Sequence, residues 1–241
     1  MKKTVCIVGL ALSPALAFAA DDSGKIWSGE ANLSANYTSG NTNTENLHFR
    51  SKSERKGEQW NQIYGLEASN ESSDDVRTAE SYFGSAKGEY KLEGDQYLFG
   101  LLEYTKDRYS GFEYEATVTF GYGRDFIKND RHELSADVGV GYRLSEEIDT
   151  GPGTGNKLED AILRLGGVYI WKINENLTFD EELSVEVGDK RTITKSLTRL
   201  KVKIAGNLNG FVAYDIKHTT DVPQPTKNSD RTTLLGLDYS F

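Results

Sequence analysis

Residues 231–241, Arg-Thr-Thr-Leu-Leu-Gly-Leu-Asp-Tyr-Ser-Phe, alternate in side-chain character up to an aromatic last position. Successive side chains of an extended strand point to opposite faces. Thr233, Leu235, Leu237, Tyr239 and Phe241 therefore share one face, and Thr232, Leu234, Gly236, Asp238 and Ser240 share the other. An apolar, aromatic strand left at a sheet edge in water is a template for aggregation. Closing a barrel inside a bilayer removes that edge and gives the greasy face a solvent. This segment predicts an all-β chain, a transmembrane antiparallel β-barrel.

The same period of two recurs in about twelve segments, near 27–37, 45–56, 60–70, 80–92, 97–107, 112–124, 133–144, 160–172, 177–188, 195–205, 210–219 and 231–241. In the sixth, Phe112, Tyr114, Ala116, Val118, Phe120 and Tyr122 form the apolar face, opposite Glu113, Glu115, Thr117, Thr119, Gly121 and Gly123. About ten residues of tilted strand cross the hydrocarbon layer, so the lengths suit a membrane barrel. Short connections with turn residues fall near 57–59, 93–96, 127–131, 173–176 and 206–209. They alternate with longer polar ones at 38–44, 71–79, 145–159, 188–194 and 219–230, and a compact one near 107–111. Outer-membrane barrels keep short periplasmic turns and longer external loops, which predicts an even strand number and periplasmic N- and C-termini.

The first residues read as an export signal. Lys2 and Lys3 precede an apolar run, Val5 to Leu16, and Ala17-Phe18-Ala19 is an A-x-A cleavage site. Residues 1–19 are expected to be the signal peptide and 20–241 the barrel, in the bacterial outer membrane. Cys6 is the single cysteine and lies in the signal, so no disulfide or thiol chemistry is expected. The formal charge of -9 becomes -11 once the two signal lysines are removed. With no basic stripe, that argues against nucleic acid. A low apolar fraction of 37% does not argue against a membrane, because lumen and lipid faces cancel in the average.

Trp27, Trp60, Tyr97, Phe126, Trp171, Phe179, Phe211, Tyr239 and Phe241 fall at strand ends beside the short turns, where an interfacial girdle is expected. Inside, the ninth strand aligns Asp180, Glu182 and Glu186, and the tenth aligns Lys195, Arg199, Lys201 and Lys203. A hairpin through 188–194 would set Asp180 opposite Lys201, Glu182 opposite Arg199 and Glu186 opposite Lys195. An acidic arc beside a basic one can set a field across a pore, or can shut the lumen as a salt-bridged core. Gly121, Gly123, Gly139 and Gly141, all inward, leave room for curvature or for a large partner side chain. His48, His132 and His218 have no serine two residues on, and no spacing suits a metal, so neither an enzyme nor a cofactor is expected.

The run Trp27-Ser-Gly-Glu-Ala-Asn-Leu-Ser-Ala-Asn-Tyr-Thr-Ser-Gly-Asn41 with Thr42 and Asn43, then Tyr109-Ser-Gly-Phe-Glu-Tyr114 and Gly121-Tyr-Gly123, resembles the salt-induced outer-membrane protein family. The likeness implies a bacterial barrel of undefined function and an envelope-adaptation role. Gly236, Tyr239 and Phe241 resemble the terminal signal read by the barrel-assembly machinery, with Leu234 departing from it, so that machinery is an expected partner. Outer-membrane lipids and lipopolysaccharide are others. Two functions stay open, a narrow passive channel for ions or small hydrophilic solutes and a closed envelope-stress barrel with an ion-paired lumen; a third, a lipid-modifying enzyme at His218, is disfavoured for want of a serine partner along the strand.

Overall fold

A computed structural model describes residues 27–38, 44–74, 76–148, 155–223 and 226–241. The expected signal segment, with Cys6, lies outside them, as do the Ser39-Gly-Asn41 part of the family-like run and the glycine-rich stretch at 151–154. Twelve strands form: β1 (Trp27–Thr38), β2 (Thr44–Lys56), β3 (Trp60–Ser73), β4 (Val76–Lys91), β5 (Gln96–Asp107), β6 (Phe112–Lys128), β7 (His132–Glu147), β8 (Lys157–Asn174), β9 (Leu177–Gly188), β10 (Thr192–Ala205), β11 (Leu208–Thr219) and β12 (Ser229–Ser240). Each pairs antiparallel with its sequence neighbours, and β1 pairs with β12 to close the barrel. The closing rungs run from Glu30↔Ser240 to Ser34↔Gly236, and Gly29 and Phe241 exchange backbone hydrogen bonds beyond them. No free sheet edge is left at that end, as an apolar closing strand requires.

Both described chain ends and the short turns lie at one end of the barrel, here the terminal end; the other is the far end. The far connections are shorter than their sequences suggest. The expected loop at 71–79 is mostly strand, with β3 and β4 separated by Asp74 and Asp75 alone, and Asp74 takes a φ of +50° to make the turn. The connection at 188–194 shrinks to Asp189-Lys190-Arg191.

Alternation sorts the side chains. Leu66, Leu102, Phe120, Val140 and Leu235 point outward and are more than half exposed. At the terminal end Trp60 packs edge-on against Tyr90, 5.1 Å between centroids, and His132 stacks on Trp171 at 5.9 Å. Two residues of the expected girdle are elsewhere. Tyr97 and Phe211 are 7% and 5% exposed and face the lumen, Tyr97 beside Phe99 and Phe211 beside Ala213 and Leu234. Phe112 also departs from its expected face. A register shift between Phe112 and Tyr114 breaks the alternation, burying Phe112 to 3% inside and leaving Glu113 outside, paired with Lys106.

An outward face with lipid as its solvent makes a sharp prediction. Val140→Arg should lower the unfolding free energy of barrel refolded in vesicles by about 2–4 kcal/mol, the cost of a cation at the bilayer midplane. Urea titration checks it, because a change within ~0.5 kcal/mol is what an ordinary water-exposed site gives.

Candidate functional site

The lumen is lined with charged side chains, and it is divided. A cavity of about 1130 Å³ is lined at the terminal end by residues such as Lys56, Lys91 and Lys128, and at the far end by Glu71, Asp107 and Asp230. Its lining therefore reaches both rims. Beside it lie two closed clusters, both built by inward positions of neighbouring strands.

The first cluster fills the far half of the wall from β6 to β11. Arg143 is 1% exposed; its Nη2 donates to Asp160 at 2.9 Å and to the Arg191 carbonyl at 2.9 Å, and its Nη1 to Glu186 at 3.3 Å. Asp160 accepts from the backbone amides of Asp189 and Lys190, so the β9–β10 turn is folded inward. Arg191 then reaches Glu115 at 2.6 Å and Ser145 at 2.9 Å, and lies 3.9 Å from the Phe112 ring centroid. Burial holds the Arg191 guanidinium below its usual range, against the pull of the Glu115 carboxylate. The second cluster sits toward the terminal end. Arg199 donates to Asp180 at 2.6 Å, Asn32 at 2.9 Å and Glu30 at 2.7 Å, Lys201 joins Glu30 at 3.1 Å, and Asp238 accepts from Asn32 and Asn209.

The structure thus separates the seven charges picked from β9 and β10. Glu182 and Lys195 line the cavity. Asp180, Arg199 and Lys201 lie in the second cluster and Glu186 in the first, while Lys203 is exposed near the terminal rim opposite Asn209. The expected cross-strand pairs are corrected by two residues. Asp180 faces Arg199, Glu182 faces Leu197, Glu186 faces Ile193, and Lys195 faces Ser184. The three-residue turn sets this register, and a slip of two moves partners without changing faces. Asp180 still comes within 3.4 Å of Lys201, diagonally.

Several partners of the cavity charges are far away in sequence. Arg50 on β2 meets Glu182 on β9 at 2.8 Å and Glu67 on β3 at 3.3 Å, and Lys52 meets Glu182 at 3.6 Å. Lys195 on β10 reaches Glu103 on β5 at 3.9 Å, and Lys217 on β11 reaches Glu115 on β6 at 3.4 Å. Lys87 lies between Glu89 and Asp137, each at 3.0 Å, and over the rings of Tyr97 and Phe99. Arg50 and Glu67 are register partners on the β2–β3 hairpin, but the contacts of Arg50 with Glu182 and of Lys195 with Glu103 exist only because the strands close into a ring.

The inward glycines make room for side chains. A Cβ on Gly123 would overlap the Tyr97 ring, and one on Gly121 would overlap the Val138 carbonyl and the Phe99 ring. At the closing strand, Gly236 sits against the Leu33 carbonyl, Phe241 lays its ring on Gly29, and Tyr239 is exposed outward. Leu234 is buried with Phe211 and Ala213, which accounts for an apolar residue on a polar face.

His218 does find a serine, across the ladder and not along its strand. Its Nδ1 lies 2.7 Å from Ser229 Oγ, and the two are register partners on β11 and β12. Among the described residues nothing orients the other ring nitrogen, and a nucleophile needs a base held in place. No group of metal-binding side chains occurs among the described residues.

Residues 31–241 match the family model described as "Protein of unknown function, DUF481". The chain belongs to this family. A DUF481 chain is consistent with the outer-membrane family of undefined function that the sequence resembles. The Escherichia coli (strain K12) "Uncharacterized protein YdiY" is 31% identical over 217 residues, 88% of this chain and 83% of that one. Among solved structures, the NanC porin superposes with a TM-score of 0.56 at 13% identity, over 88% of this chain and all of that one. The COG4313 outer membrane channel from Pseudomonas putida F1 superposes at 0.51 and 11% identity, over 89% and 95%. At such identities the likeness is one of fold: this DUF481 chain has the barrel of outer-membrane porins.

Proposed function

We propose that the protein is an outer-membrane barrel that works as a narrow passive channel for ions and small hydrophilic solutes, and not as an enzyme. The observation that carries this is the polar cavity whose lining reaches both rims. Twelve strands lie between side-chain-filled eight-stranded barrels and open porins of sixteen or more, so the bore is small and its charges matter. The resemblance to porins and an outer-membrane channel supports the setting. Residues 1–19 then direct export, the termini and short turns face the periplasm, Gly236, Tyr239 and Phe241 guide insertion by the assembly machinery, and the far rim meets lipopolysaccharide.

One observation favours a second reading. Buried ion pairs fill much of the lumen, as a closed barrel would need, and the envelope-adaptation role implied by the resemblance goes with that. Planar-bilayer recording of the refolded protein decides between them. Stable single-channel steps are expected; a refolded, heat-modifiable barrel that gives none removes the channel.

A further inference from the structure

We infer that two side-chain crossbars, Lys195 and the Arg50–Glu182 pair, form the constriction that decides what can cross this barrel. The inference rests on the channel reading and names the groups that limit it.

Lys195 leaves β10 and extends across the lumen. Its Nζ stands 3.9 Å from Glu103 Oε1 on β5 and 5.1 Å from the centroid of the Phe83 ring on β4. In a ring of twelve, β4 is six strands from β10 in either direction, so this one side chain joins opposite walls. Arg50 and Glu182 make the second bar, at 2.8 Å between β2 and β9, which are five strands apart by the shorter way. Glu182 faces Leu197, two residues from Lys195 on the same strand, so the bars are about one inward position, roughly 6–7 Å, apart along the barrel. All of these residues line the cavity.

The Lys195 bar differs from the two closed clusters in what holds it. Arg143 and Arg199 each bond three or more acceptors and are 1% and 5% exposed in their side chains, so they act as fixed wall. The Lys195 side chain is 36% exposed, with one long ionic contact and a ring face. A flexible four-carbon stem with a point charge can swing aside for a small ion while excluding anything wider. The lysine and its glutamate also present both signs at one level, which disfavours strong selection for either ion sign.

The test is single-channel recording and solute-size exclusion on refolded wild type, Lys195→Ala and Lys195→Met, with Glu103→Gln as a variant that breaks the tie without shortening the bar. Heat-modifiable migration selects folded protein. Removing the lysine head is expected to raise conductance about twofold or more and to admit larger uncharged solutes, since bore sets flux in a narrow barrel. Lys195→Met, which keeps most of the length, should change the conductance less than Lys195→Ala. Steps from wild type with unchanged conductance in Lys195→Ala and Glu103→Gln overturn the crossbar while leaving the channel. A silent wild type with conducting Lys195→Ala overturns the channel reading and supports the crossbar. Silence from every folded variant overturns both.

Discussion

Replacing Arg143 by leucine should cost the barrel about 3–5 kcal/mol, because it strands buried carboxylates and not because it deletes a favourable pair. Asp160 and Glu186 are 5% and 5% exposed and receive their charge-assisted bonds from this guanidinium. Taking two charges out of water is repaid only while the third group stands between them. Guanidinium titration in detergent micelles should show a large drop in midpoint with the same β-sheet spectrum at zero denaturant. Adding Glu186→Leu should recover part of the loss, since it removes one stranded charge. Adding Asp160→Leu should not, because that carboxylate also holds the amides of Asp189 and Lys190, and the inward turn loses its anchor. If Arg143→Leu alone costs under 1 kcal/mol, the cluster is hydrated and open.

The second large effect is expected at the glycine floor. Gly123→Val should destabilise strongly, as overpacking in a filled interior costs roughly 1–3 kcal/mol or more. The obstacle there is the outer part of the Tyr97 ring, with no backbone atom among the nearest contacts. Tyr97→Ala in the same chain should therefore restore most of the lost stability. Gly121→Val meets the Val138 carbonyl and the Gly139 Cα as well as the Phe99 ring. Phe99→Ala should leave that variant poorly folded, since backbone cannot be trimmed. Equal rescue at both positions would mean the two strands part easily and that the glycines do not set their approach.

A folding pattern explains why these sites were only partly visible beforehand. Period-two alternation assigned Glu186, Arg199 and the four glycines to the lumen, because in a strand the face of a residue depends only on its parity. Where parity failed, a bulge had intervened: the shift between Phe112 and Tyr114 turned Phe112 inward, where it stacks under Arg191. Tyr97 and Phe211 were misplaced for a different reason. They sit at strand ends where a girdle is expected, yet their parity is inward, and parity decides.

Partnering was beyond the sequence. Arg50 and Glu182 are 132 residues apart, and Arg191 and Glu115 are 76 apart. Which charge meets which depends on the stagger accumulated around twelve strands and on turns of two or three residues, such as Asp189-Lys190-Arg191, that set each register. The chain alone determined that it makes strands, about how many, and, away from bulges, which side chains face lipid or lumen, since these follow from local alternation. Only ring closure decided which opposite walls are tied together and where a cavity is left, because that geometry is a property of the whole circle and of no single strand.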